Sequence, residues 1–356
     1  MVKGAKAEAS NFFPGGNMGR LIFVPQYPTP LRYQSWWLSE FSKNFWKHYD
    51  NVIVLGIRTH FGLKDQPYSS KIYDENSWND ALKSDANMFS PVDAAIKFET
   101  EQIQEYLDLD IKLDDTLFMS DLSFPGFFAN VLHHRRPRKC YAYCHATSLN
   151  VGDYFENVRR SKWLVECGQS SIFDKVFIGS KYHYNKLTEL GLIVSFNGRK
   201  LEVIGLPNPP MPTFKEEKKY NIISVARPSY QKVNQEIEEK IEREFGKIVR
   251  KECNSWEEYY KFVSSGRVLL ISSREETYGY QVVDAILNNT IPLAPNAFSY
   301  PELLPPRCLY NNYEELKNLL YSYLLEDPQY YRAPELKTNN LAYNFYENLI
   351  GKMKAL

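Results

Sequence analysis

Short apolar runs of three to five residues, each followed by a longer stretch of mixed polarity, recur along this 356-residue chain in two sets. Residues 21–24, 52–55, 116–119, 141–144, 176–178 and 201–204 make the first set, and residues 222–226, 247–249, 268–271, 291–293 and 308–310 the second. Runs of this length and character are strands, and the stretches between them are helical, which predicts α/β layering. Between the sets, Leu206-Pro207-Asn208-Pro209-Pro210-Met211-Pro212 carries four prolines. They stiffen an extended connection and interrupt both ladder and helix, so this is the expected hinge. The organisation that follows is a loose arm over residues 1–17, a first unit over 18–206, a linker over 207–219, a second unit over 220–337 and a terminal helix over 338–356. Two units also suit the length, which exceeds that at which single cores stop growing.

Composition narrows the function classes. Lys plus Arg and Asp plus Glu are 43 each, so no global field draws the chain to nucleic acid or to an anionic membrane, and any such contact must be local. No apolar run approaches the ~20 residues of a membrane span and the first residues lack an apolar signal core, from which a cytoplasmic enzyme is expected. The five cysteines, Cys140, Cys144, Cys167, Cys253 and Cys308, are odd in number and fit reduced thiols. Cys140 and Cys144 with His145 have a metal-like look, but no second ligand pair follows.

The chemistry concentrates in Ser272-Ser273-Arg274-Glu275-Glu276-Thr277-Tyr278-Gly279-Tyr280-Gln281-Val282-Val283-Asp284, where a strand runs into an aromatic-glycine turn and then a helix. Glu276 stands at the strand end, and Asp284 lies about two helical turns on. The helix start between them offers N–H groups to a phosphate. After the strand at 222–226 comes Arg227-Pro228-Ser229-Tyr230-Gln231-Lys232, two cations five apart. Fixed positive charge in a shielded cleft stabilises a leaving group that gains negative charge.

Taken together, these segments resemble the E-x7-E region and the preceding Arg/Lys pair of retaining, glycogen-synthase-like (family-4-type) glycosyltransferases, with Asp284 in place of the second Glu. The stretches 289–295 and 299–305 continue the resemblance. It implies a GT-B fold, two Rossmann-like α/β domains facing a central cleft, with the terminal helix crossing back onto the first. It also implies a nucleotide-sugar donor, UDP- or GDP-linked, as substrate and no metal or other cofactor. Arg227 and Lys232 would stabilise the departing diphosphate, Glu276 would hold sugar hydroxyls, Asp284 would bind the ribose, and the turn Thr277-Tyr278-Gly279 would give backbone donors. The acceptor would attack from the face that the nucleotide leaves, with retention of configuration. His145, which ends the strand at 141–144, matches the family's histidine at the transferred sugar. His48, His60, His133, His134 and His183 lack that strand-end placement and read as surface or helix-packing residues.

The acceptor is read from the first unit. The family's usual glycine pair after the first strand is missing, and Pro25 to Trp37 replaces it with a rigid aromatic loop. Tyr33 and Trp36 read either as packing or as a stacking platform for sugar or base, with Arg32 gripping a phosphate. Asp121, at the end of the strand at 116–119, and Asp153 are acceptor-side carboxylates, although a lone Asp at a turn is often a cap. His133-His134-Arg135-Arg136-Pro137-Arg138-Lys139 is the densest basic run, read either as a solvated loop or as a contact to phosphate backbone. The region of Tyr300-Pro301-Glu302 also looks like the family that mannosylates queuosine in tRNA. The phrases at 145–147 and 179–183 look like bacteriophage glycosyltransferases, which decorate hydroxymethylated DNA bases; a phage enzyme would work in the host cytoplasm. The favoured acceptor is therefore a modified base in DNA or tRNA. A surface-polysaccharide or lipid-linked glycan acceptor, and a non-catalytic nucleotide-sugar-binding module, are the alternatives. Asp108-Leu109-Asp110 matches the letters of a metal-dependent D-x-D transferase, but it ends a polar helical stretch and does not follow an apolar strand.

Overall fold

The structure is a computed structural model that describes residues 18–28, 33–60, 91–122, 127, 131, 136–150, 159–189, 200–209, 213–325, 333–334 and 344–355. Six strands, β1 (Met18–Val24), β2 (Tyr49–Val54), β3 (Thr116–Met119), β4 (Lys139–Cys144), β5 (Lys175–Ile178) and β6 (Leu201–Val203), form one sheet in the order β2-β1-β3-β4-β5-β6. Four more, β7 (Tyr220–Ile223), β8 (Gly266–Leu270), β9 (Ile291–Pro295) and β10 (Leu309–Tyr310), form a second in the order β10-β9-β8-β7. Every pairing is parallel. The α/β layering expected from the alternating runs is what the chain adopts.

A parallel sheet must be covered on both faces, which is why its strands read as unbroken apolar runs. In β1, Leu21 and Phe23 face a cluster with Phe41 and Phe45 of the helix Tyr33–Phe45, while Ile22 and Val24 face another with Tyr106 and Trp163. The helices Pro91–Asp108 and Arg159–Ser170 supply that second cover. Residues 247–249, expected as a strand, make only an isolated bridge from Val249 to Ile223. Of the three only Ile248 is buried, so little apolar burial rewards a longer pairing there.

One apolar cluster runs through both sheets and ends in the helix Phe345–Lys354. That helix lies on the first sheet's side: Phe345 and Tyr346 meet the Phe41 ring at 5.8 and 5.3 Å, and the Tyr141 hydroxyl donates to the Met353 carbonyl at 2.7 Å.

The carboxyl ends of the two sheets meet. The Thr277 hydroxyl, beyond β8, donates to the carbonyl of His145, beyond β4, at 3.1 Å. The amino ends lie on the far side, and one expectation changes as a result. Arg136, expected at the acceptor, precedes β4 and is held there by the Ile172 carbonyl at 2.7 Å and by Asp174 at 3.2 Å. A six-residue strand of about 20 Å separates that end from His145. Arg136 is thus a fastening between the starts of β4 and β5, away from the cleft. Asp108 and Asp110 lie at the same amino edge, where Arg20 binds the Asp110 carbonyl and the Asp115 carboxylate.

Candidate active site

Gly279 shapes the turn after β8. Its φ of +104° is a conformation that side-chain-bearing residues rarely adopt, and a Cβ there would come within 3.0 Å of the Tyr300 ring. The chain then enters the helix Tyr280–Leu287. Just before the turn, Glu276 pairs with Lys232 at 2.9 Å, and its other oxygen accepts from the Thr277 amide at 3.0 Å and the Tyr278 amide at 3.4 Å. Burial would push this carboxyl up, but the Lys232 charge and hydrogen bond, with the Tyr278 amide and His145, hold it below the ordinary range. Glu276 is therefore an anion at neutral pH. Two of the turn amides expected for the donor are engaged by Glu276 itself.

Arg227 is exposed, and among the described residues its guanidinium has no hydrogen-bond or ion-pair partner. Lys232 stands on the same loop, which turns tightly because the Lys232 and Val233 amides both return to the Ser229 carbonyl. Arg274 fixes that loop from the other side. Its guanidinium donates to the carbonyls of Tyr230 (3.2 Å) and Val233 (2.8 Å) and to the Asn234 side chain (3.0 Å), and it lies 4.5 Å over the Tyr230 ring.

His145 faces this group from the first sheet. Burial, reinforced by Lys232 and opposed by Glu276, lowers its pKa to about 4, so the imidazole is neutral at pH 7. Among the described residues its Nδ1 is buried without a hydrogen-bond partner, although the Tyr33 ring lies tilted against it at 4.0 Å and Trp37 meets it edge-on at 5.5 Å. A neutral imidazole with an unsatisfied nitrogen suits a hydrogen bond to a hydroxyl.

Asp284 is not open to a ligand in the simple way expected. It is buried, and its two oxygens accept from the hydroxyls of Tyr259 (2.9 Å) and Tyr260 (3.0 Å). Burial raises its carboxyl to about 7 against the pull of both tyrosines. It still lines a cavity of about 290 Å³ together with Trp256, Tyr259, Tyr260 and Lys251. Tyr33 and Trp36 close the same cavity from the first half. Trp36, which could be read as packing or as an acceptor platform, is only 5% exposed and packs edge-on against Tyr280 at 5.7 Å. These two aromatics therefore join the halves at the Asp284 cavity and do not form a separate acceptor face.

Asp121 is buried at the carboxyl end of β3 and accepts from the Gln26 side chain. Arg32, Arg135, Asp153, His133 and His134 lie outside the described residues. Sequence reasoning missed Arg274, Glu275, Lys186, Tyr259 and Tyr260. Nothing local marks them, because each gains its meaning from a partner at least 24 positions away.

No family model matches the chain. The tRNA-queuosine alpha-mannosyltransferase of Drosophila melanogaster is 30% identical over 101 residues, 28% of this chain and 27% of that protein's length. Among solved structures, Anabaena HepE in complex with UDP-glucose matches 95% of this chain and 100% of its own, with 12% identity and a TM-score of 0.57. Trehalose-6-phosphate synthase OtsA matches 95% and 99%, with 10% identity and a TM-score of 0.57. The chain has the GT-B fold. At these identities the likeness is one of architecture, and it makes the facing carboxyl ends of the two sheets the place to look for a site.

Proposed function

We propose that this chain is a retaining, metal-independent glycosyltransferase that takes a sugar from a UDP- or GDP-linked donor. The observation that carries the reading is the Glu276–Lys232 pair at 2.9 Å on the turn after β8, with His145 facing it across the junction of the sheets. The donor's nucleoside would occupy the aromatic cavity, its base against Trp256 and Tyr259 and its ribose toward Asp284 and the tyrosine hydroxyls. Its diphosphate would lie between Arg227 and Lys232. As the glycosidic bond breaks, these cations stabilise the negative charge that gathers on the diphosphate, whose oxygen takes the acceptor proton. Glu276 would hold sugar hydroxyls, with neutral His145 bonding another. With donor bound, the aromatic residues that line the cavity would exclude water that hydrolyses the activated sugar.

For the acceptor, the favoured class is a hydroxyl on a modified nucleic-acid base, tRNA before DNA. The match to the queuosine mannosyltransferase supports the tRNA arm. Arg136, placed away from the cleft, gives no support, so the reading rests on that match and on the resemblance of the motifs. The test is a mass-spectrometric screen of UDP- and GDP-sugars against tRNA, hydroxymethylated DNA and simple glycans. A hexose or pentose mass increment on a base supports the reading; transfer to glycans alone moves the acceptor class to polysaccharide.

A further inference from the structure

Beside Glu276 stands a second acid with a different connection. Residues 272–279 belong to neither helix nor strand, and neighbouring side chains there reach opposite ways. Arg274 and Glu276 fasten to the loop after β7, through Tyr230, Val233, Asn234 and Lys232. Glu275 turns the other way and reaches the first half. Its carboxylate pairs with Lys186 at 2.7 Å and accepts from the Tyr182 hydroxyl at 3.1 Å, while Lys186 also donates to Asn150 at 2.9 Å. Glu275 is buried and Lys186 nearly so, with side chains 7% and 11% exposed. The helix Lys181–Glu189 that bears Lys186 is gripped a second time from the far half, since Glu302 accepts from the amides of Lys181 at 2.8 Å and Tyr182 at 2.7 Å.

We propose that Glu275 is a positioning residue that ties the joining of the two halves to the placement of Glu276. The inference rests on the reading of Glu276 as the acid that holds the donor sugar, and it adds a residue that the motif does not contain. A buried pair of this kind cannot lose one charge without leaving the other uncompensated in a dry setting. Separation of the halves would expose Lys186 and Glu275 together and release the segment that carries Glu276. Joined, the halves hold that segment on both sides, by Arg274 to the diphosphate loop and by Glu275 to the first sheet.

The test compares the full chain with Glu275→Gln, Lys186→Met and the exchange Glu275→Lys with Lys186→Glu. Calorimetric affinity for UDP should stay within about twofold in Glu275→Gln, because Arg227 and Lys232 lie on the other side of the segment. Turnover should fall at least about tenfold with little change in donor KM, as a misplaced reacting geometry requires. Small-angle scattering should show a larger radius of gyration, hydrogen exchange over residues 181–189 should quicken, and the exchanged pair should recover part of both losses. Wild-type turnover with unchanged scattering would overturn the proposal, as would a loss of UDP affinity equal to the loss of turnover, or an exchanged pair no better than its single variants. If wild-type protein transfers no sugar, the functional reading fails by itself. Scattering and exchange need no donor and still decide the link, since unchanged profiles in both single variants overturn it.

Discussion

At the scale of single residues, the site sorts its charges by environment. Glu276 is kept anionic by Lys232, whereas Asp284, eight residues on, is raised to about 7 by burial that two tyrosine hydroxyls only partly offset. Between about pH 4 and pH 7 the folded chain therefore holds a proton on Asp284 that the unfolded chain has released, so this residue makes stability fall as pH rises through that window, and the loss is complete above it. His145 acts in the opposite direction, since a pKa lowered to about 4 makes stability rise with pH up to its unfolded value. The difference between Asp284→Asn and wild type isolates the first effect. Each tenfold change in proton affinity is worth about 1.4 kcal/mol, so the variant should gain about 2–4 kcal/mol relative to wild type between pH 4 and 7 in denaturant melts; a constant offset would contradict the assignment. For the cations, Arg227→Ala with Lys232→Ala should weaken UDP binding at least about tenfold by calorimetry, each charged hydrogen bond being worth about 1.5–3 kcal/mol. Unchanged affinity would remove their diphosphate role.

At the scale of elements, the turn after β8 depends on one backbone conformation. Gly279→Ala forces a side chain into a left-handed geometry and toward the Tyr300 ring, at a cost of about 1–3 kcal/mol by thermal or urea unfolding. A neutral substitution there would show that the turn is softer than it looks. The elements themselves were largely legible: residues 116–119 form β3 as expected, and the buried runs of β1, β4 and β8 announce themselves by being apolar on both faces. Residues 247–249 misled because three residues of strand character carry no sign of whether a partner will bury them. That Glu276, Lys232 and His145 come together was legible because each lies beyond the carboxyl end of a strand. The site was hidden where it depends on contacts between distant segments, as with Glu275 and Lys186, 89 positions apart, or Tyr259 and Tyr260 on Asp284. Arg136 misled for a topological reason, since sequence shows that it leads into β4 but not that the strand carries the chain away from it.

At the scale of the whole molecule, the two sheets meet by their carboxyl ends, and the shared apolar cluster with the helix Phe345–Lys354 joins them into one body. The central claim is that Glu276 serves chemistry and not the fold. Glu276 lies outside both strand and helix and outside both apolar clusters, so its loss removes the pair with Lys232 and leaves the core packing as it is. The most direct measurement is sugar transfer by Glu276→Ala beside wild type, with the donor and acceptor that the screen identifies, on protein whose melting temperature is checked in parallel. The account predicts turnover lowered by about 10²–10³ or more, in a protein that still melts in one cooperative transition and loses no more than about 3 kcal/mol with the ion pair to Lys232. A folded Glu276→Ala protein that transfers sugar at near the wild-type rate would contradict it.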